Sequence, residues 1–233
     1  MVLRGVTTTK QVKGIFVKTD YQIKQDIADE LAWEAAVNDN EIGIEVRDGV
    51  VTLVGNLHSY AEKYAAEKAV QRVAGVKGLA VEIDVVLPGS SKRTDADIAR
   101  TAAHGLEWHA LVPKDCVKIM VEDGWITLSG EVEHQYQRLA AESALRSLLG
   151  VIGISNQIAV KHIARPVDIK VQIEAALQRR AHSTVKAIEV AVNGDQITLN
   201  GAVASLAERQ EACAAAARTP GAGKVVDKLT VLP

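Results

Sequence analysis

Aromatic side chains are scarce in this chain. Phe, Trp and Tyr together make up 3% of 233 residues, so any core has to be packed from Ala, Val, Ile and Leu. Cysteine is almost absent, and Cys116 and Cys213 stand at unrelated positions. A disulfide framework would show an even, patterned set, so both read as small buried or half-buried residues without a redox role. Charge of one sign is also lacking. A net charge of −2 argues against nonspecific polyanion binding, which needs an excess of Lys and Arg along the contact. No apolar run approaches the length of a transmembrane helix, so no integral membrane protein is expected. The stretch from Met1 to Lys10 has no apolar segment of the length a secretory signal needs. As it stands the chain reads as cytoplasmic, or periplasmic if it is a processed or truncated form.

What is present is repetition. Asp123-Gly124-Trp125-Ile126-Thr127-Leu128-Ser129-Gly130 places a tight-turn dipeptide before an alternating strand and ends on glycine. The same phrase occurs from Asp48 to Gly55 and returns, altered, from Gly194 to Gly201. Three hairpins of one kind define an array of modules.

The first copy gives the unit. Residues 1–19, with Arg4, Lys10, Lys13 and Lys18, show no sustained period and read as a tail. Ile23, Ile27 and Leu31 recur at spacing four, predicting a helix that Thr19 or Asp20 can cap. Ile42, Ile44 and Val46 alternate as a half-buried strand, and Asp48-Gly49 is a two-residue hairpin signal. Val51 and Leu53 line the return strand, which ends at Gly55. Ser59-x-x-Glu62 spells a capping box that opens a second helix running to Gly75, a glycine suited to a helix C-terminus. Leu79, Val81, Ile83 and Val85 alternate as a third strand. The second copy follows at an offset of 75 and the third at a further 71. The interval between the strand-end and helix-end glycines is 20 each time (75 − 55, 150 − 130, 221 − 201). The expected division is a tail at 1–19, modules at 20–87, 94–162 and 167–233, and linkers at 88–93 and 163–166. The first linker reads as flexible. The second junction is shorter, so modules two and three are expected in the more fixed relative orientation.

Helix, hairpin, helix and strand, carrying Asp-Gly-x-Val/Ile-Thr-Leu-x-Gly and then Gly-Val twenty residues later, resemble the BON domain family in three tandem copies. The resemblance implies an α+β fold of αββαβ modules, each a three-stranded mixed sheet packed against two helices. It also implies a non-enzymatic role in stress or osmotic adaptation, with attachment to phospholipid or protein surfaces. An alternative it implies is a potassium-binding protein of the cytoplasm, and a third is a polypeptide holdase. No other cofactor is implied, and the sequence does not locate a K+ site, because backbone carbonyls leave no side-chain signature.

The repeated glycines read as structural. Gly49, Gly124 and Gly194 serve turns, Gly55, Gly130 and Gly201 end strands, and Gly75, Gly150 and Gly221 end helices. None is followed by the Gly-Lys-Ser/Thr of a phosphate loop. Gly75-Val-Lys-Gly78 and Gly150-Val-Ile-Gly153 spell the GxxG of an RNA-binding KH module, but they join a helix to a strand instead of two helices. Nucleic acid is therefore not expected as a partner. His104 and His109 are five apart and fall on different helix faces. Glu131, Glu133 and His134 are close, yet no set of three or four convergent ligands recurs. No nucleophile, base and acid repeat together.

The tryptophans are the candidate contact residues. Trp33 falls at the flank of the apolar stripe of the first helix or beyond it, and Trp108 repeats the position, whereas Arg179 replaces it in the third copy. Trp125 precedes the inward Ile126 and should point to the outer face of its sheet, with Val50 and Gln196 as counterparts. An indole outside a core suits either packing between modules or contact with a membrane or partner.

Overall fold

The computed structural model describes residues 18–161, 188–193, 196–219 and 224–232. The first module runs α1 (Asp20–Trp33), a 3-10 turn (Asp39–Glu41), β1 (Ile42–Arg47), β2 (Val50–Leu57), α2 (Tyr60–Arg72) and β3 (Gly78–Val85). The second runs α3 (Asp95–Glu107), β4 (Val117–Glu122), β5 (Trp125–Val132), α4 (Gln135–Leu145), β6 (Gly153–Asn156) and β7 (Ala159–Val160). The third contributes β8 (Ile188–Asn193), β9 (Gln196–Val203), α5 (Leu206–Ala217) and β10 (Val225–Val231). The first helix of the third copy, expected at the offset of 71 from that of the second, and the junction 163–166 lie outside the described residues. The architecture is the expected α+β array of tandem modules.

Each sheet is mixed, with the second strand of the module in the middle. Ile42 pairs with Gly55 across the antiparallel β1–β2 hairpin, and β2 then runs parallel to β3. A parallel neighbour needs a crossover connection, and α2 is that crossover. The parallel register repeats without slippage: Val50 faces Gly78, Trp125 faces Gly153 and Ile197 faces Val225, always 28 residues on. The second module departs from three strands, because its last strand is split into β6 and β7. Between them the Asn156 side chain accepts from the Ile158 amide and donates to the Arg138 carbonyl and the Glu142 carboxylate, which interrupts the ladder. The register survives the break, since Glu131 faces Ala159, again 28 on.

The cores are aliphatic, as the shortage of aromatics demands. Ile23, Ile27 and Leu31 of α1 meet Val51, Leu53 and Leu57 of β2 and Ala66, Ala69 and Val70 of α2. Ile98, Ala102 and Leu106 meet Ile126, Leu128 and Val132 and the buried face of α4 in the same way. In the third module Ile197, Leu199 and Val203 pack on the alanine face of α5. Alanine lets helix and sheet approach closely, and the β-branched and leucine side chains opposite fill the remaining volume.

Thr19 is the cap of α1. Its hydroxyl accepts from the Gln22 amide and the Gln22 side chain accepts from the Thr19 amide, a complete capping box. That leaves Asp20 for another task. Its carboxylate accepts from the Asp48 and Gly49 amides at 2.8 and 2.9 Å, clamping the hairpin turn to the helix. Asp95 does the same to Asp123 and Gly124, both at 2.9 Å. All four turn residues have positive φ, between 49° and 80°, as a type I′ turn requires. At α2 the capping box is only half formed. The Ser59 hydroxyl accepts from the Glu62 amide, but the Glu62 carboxylate reaches past Ser59 to the amides of Asn38 and His58. The helix ends at Arg72 with Val73 as its cap, so Gly75 sits one residue further out than a C′ glycine. Its amide leaves the module and donates to the Ala204 carbonyl at 3.3 Å.

The segment 88–93, expected as a flexible linker, holds a 3-10 turn at Gly89–Ser91, and the Arg93 guanidinium donates to the Ser90 and Lys92 carbonyls. The described contacts between modules converge on α2. Tyr60 packs against the second core, and Leu206, from α5, packs against the first. The Arg146 guanidinium lies 3.5 Å over the Tyr64 ring. The Lys68 ammonium donates to Gln210 of α5 at 2.8 Å.

Two predictions follow from these contacts. At Gly130, where φ is 125°, a Cβ would overlap the Cys116 carbonyl. Gly130→Ala should therefore destabilise by about 3 kcal/mol, the range for combined backbone strain and overpacking, read from urea unfolding. A double-mutant cycle of Tyr64→Leu and Arg146→Met should show a coupling of about 1 kcal/mol, as expected for a part-desolvated cation on a ring. Additive stabilities would show that the contact contributes nothing.

Candidate functional site

Three surfaces deserve comparison: the ends of the first helices, the outer sheet faces, and the junction of the second helices. Trp33 is the last residue of α1 and is 86% exposed. Trp108 caps α3 and is 77% exposed. Neither indole is packed between modules. Trp108 lies against the His104 ring, with centroids 5.5 Å apart, and Leu111 beside it in sequence is 53% exposed. Around Trp33 the flanking side chains are acidic, and Arg72 pairs with Glu30 and Glu34 at 2.7 and 3.0 Å. These two pairings hold the Arg72 guanidinium above its usual range.

Trp125 points to the outer face of its sheet, next to the inward, fully buried Ile126. It is less free than the other two, at 46% exposed. Its six-membered ring lies over Gly153, where any Cβ would overlap it. Met120, also exposed, shares that face. The sequence brings these two side chains together only through strand register, so Gly153 is the residue that the reading of Trp125 lacked.

Gly49 and Gly124 occupy the hairpin turns as expected, and Gly75 and Gly150 follow the second helices. Gly55, Gly130 and Gly201, expected to end their strands, lie inside β2, β5 and β9, which run on to Leu57, Val132 and Val203. Gly55 and Gly130 have positive φ and leave room for the Glu41 and Cys116 carbonyls, a close approach within a continuing strand. Gly194 and Gly221 lie outside the described residues. His104 and His109 do not converge with a third ligand, and neither do Glu131, Glu133 and His134. Among the described residues no group of three His, Cys, Asp or Glu side chains is placed to hold a metal. A potassium ion would have to be held by carbonyl oxygens.

The junction of the second helices is the surface that sequence reasoning missed. Tyr60, Tyr64 and Lys68 of α2 are spaced by four, so they form one stripe on the face away from the Ala66, Ala69 and Val70 core. Burial pushes the Tyr60 phenol up to about 12, with Glu142 and Glu67 adding to the effect. Tyr64 is raised by burial as well. Two tyrosines at i and i+4 in a chain this poor in aromatics were the available signal. Nearby on the third module, burial and Asp227 push the Cys213 thiol up to about 11, so it stays protonated at neutral pH and is a poor nucleophile. Asp227 sits below the ordinary carboxylate range despite its burial, because the Leu229 amide and the Arg209 guanidinium, at 2.8 and 2.7 Å, favour the anion.

In this chain two αββαβ units and a third of which the ββαβ part is described, joined through their second helices, make a tandem array of small α+β modules. It belongs to the BON domain family, whose model matches residues 19–86, 94–162 and 167–233. The chain is similar to osmotically-inducible protein Y of Escherichia coli (strain K12), with 31% identity over 129 residues. That alignment spans 54% of this chain and 64% of the relative, less than two thirds of its length. Among solved structures it is similar to CdsD, a structural protein of the type III secretion system of Chlamydia trachomatis, at 13% identity and a TM-score of 0.25 over 90% of this chain and 91% of that one. A structure of the CdsD C-terminal domain matches at the same identity and TM-score over 96% of its length. So distant a likeness adds nothing to the functional reading. Among the described residues no helix is long and apolar enough to cross a membrane.

The exposure of Trp33 and Trp108 is directly checkable. Trp33→Ala and Trp108→Ala should each change unfolding stability by less than about 0.5 kcal/mol, as for surface substitutions generally. Acrylamide should quench both indoles more strongly than Trp125, measured in variants that keep one tryptophan at a time. Strong protection of either would place it in a packed interface.

Proposed function

We propose that this chain is a non-enzymatic binding protein of stress or osmotic adaptation, and that it engages phospholipid surfaces through Trp33 and Trp108. The observation that carries the reading is the pair of exposed indoles at equivalent helix ends in two modules. An indole combines an apolar ring with an N–H, and so favours the boundary between water and hydrocarbon. One such anchor is weak. Two on one chain become useful together, because the second contact is made at a high effective concentration. The osmotic part of the proposal draws on the printed name of the Escherichia coli relative and on family membership.

Charge shapes the expected target. The acidic flank of Trp33 and the net charge of −2 oppose strongly anionic bilayers, so the indoles rather than basic residues supply the attraction. Co-flotation with vesicles of phosphatidylcholine, alone and mixed with phosphatidylglycerol, tests this. Wild-type chain should float with the vesicles, and Trp33→Ala or Trp108→Ala should each weaken binding about tenfold, the loss expected for one buried indole. If neither vesicle retains the wild-type chain, the lipid reading fails, and the same indoles would then be tested as a protein contact by pull-down and crosslinking.

A further inference from the structure

The second helices meet around a shared centre, and their first residues occupy equivalent places. Tyr60 begins α2, Gln135 begins α4 and Leu206 begins α5. Tyr60 closes the joint between modules one and two by packing on the second core, and Leu206 closes the joint between three and one by packing on the first. At the joint between two and three the equivalent residue is Gln135, which is polar and fills no core. A cleft of about 1000 Å³ opens there, lined by all three modules. That volume is at the upper end of the range for small-molecule sites.

The walls of the cleft have two characters. One is apolar, formed by Leu139, Ile158, Val160 and Val225, and Leu139 is 37% exposed within it. The other carries charge. Arg72 is committed to Glu30 and Glu34, and Asp227 to Arg209. Lys68 donates only to the neutral amide oxygens of Gln71 and Gln210, at 3.0 and 2.8 Å, and Arg138 donates to the Asn156 carbonyl at 3.1 Å. Glu211, exposed at the rim, is the remaining acid. The uncommitted charge on the lining is therefore positive, although the Glu67 and Glu142 carboxylates outside the lining also act on Lys68 and favour its charged form. Burial and the neighbouring Arg146 hold the Lys68 ammonium below the usual lysine range. An anion placed beside it would counter both effects by favouring the charged ammonium.

We propose that this cleft binds a small amphipathic anion, a carboxylate or phosphate head on an apolar body, with Lys68 and Arg138 at the head and Leu139 and Val160 along the body. The site exists only where three modules meet, and it is independent of the exposed tryptophans.

The test is calorimetric titration of the full chain with decanoate and with decyl phosphate, both below their micelle concentrations, and with decyltrimethylammonium as the charge control. Saturable one-to-one binding of the two anions and none of the cation is expected. Lys68→Gln should weaken anion binding about tenfold, the loss of one charge-assisted hydrogen bond. Gln135→Leu should close the third joint as Leu206 closes another, abolishing binding while the melting temperature holds or rises. Trp33→Ala and Trp108→Ala should bind as wild type, which separates this site from the lipid contact. No saturable anion binding, equal binding of the cation, or an unchanged affinity in Lys68→Gln would overturn the proposal. Loss of binding in the tryptophan variants would overturn it too.

Discussion

The Arg146 guanidinium rests 3.5 Å over the Tyr64 ring with its Nε buried and without a hydrogen-bond partner, so a charged group has been partly taken out of water at a joint between modules. Even partial desolvation of a charge is unfavourable unless it is offset. Here the Glu142 carboxylate at 3.1 Å and the π-face of the ring offset it together. The geometry is demanding. The ring has to be presented by α2, the carboxylate by α4, and the separation of the two helices is thereby fixed. Tyr60, one turn back on α2, adds the apolar burial that the charged contact lacks. Once α2 is held against the second module, its far side is positioned for Lys68 to reach Gln210 and for Leu206 to reach the first core. The cleft at the centre is a consequence of that arrangement.

Inside a module the corresponding constraint is the aspartate at the start of the first helix. Two amides of a type I′ turn point outward and need acceptors, and one carboxylate satisfies both. The helix and the hairpin are thereby held in one relative position over the core. The third copy has Pro166 where the others have Asp20 and Asp95, and it has also lost the Asp-Gly dipeptide, reading Asn193-Gly194-Asp195. Clamp and turn change together, which is the expected outcome if each is useful only with the other.

The elements were legible because they are local. Ile23, Ile27 and Leu31 announce a helix by spacing alone, and Asp48-Gly49 announces a turn by the φ values it tolerates. Two aspects of a single residue were harder to separate. Asp20 looked like a cap because caps and clamps both call for a short carboxylate at a helix start; only the neighbouring hairpin decides between them. Ser59 and Glu62 spell a capping box, yet Glu62 reaches the amides of Asn38 and His58 because the preceding loop brings them within range. The split of β6 from β7 depends on Asn156 turning onto α4, a contact 18 residues away in sequence. The α2 stripe was least legible of all. Tyr64 meets Arg146 across 82 positions and Lys68 meets Gln210 across 142, and no local period encodes which helix a polar face will meet.

The two helices of a module therefore have different relations to their surroundings. The first helix in modules one and two ends in an indole that faces solvent. The second helix in all three modules turns inward, and its first residue decides whether a joint is closed. A tyrosine and a leucine close two joints, and a glutamine leaves the third open. Substitutions at the exposed helix ends are therefore expected to leave the packing of the array intact. Substitutions at Tyr60, Gln135 or Leu206 alter how the modules sit against each other, and with that the volume between them. In modules one and two the exposed indole and the inward face thus lie on separate helices, and in the first module Arg72 links the two, since it lines the cleft and pairs with Glu30 and Glu34 beside Trp33.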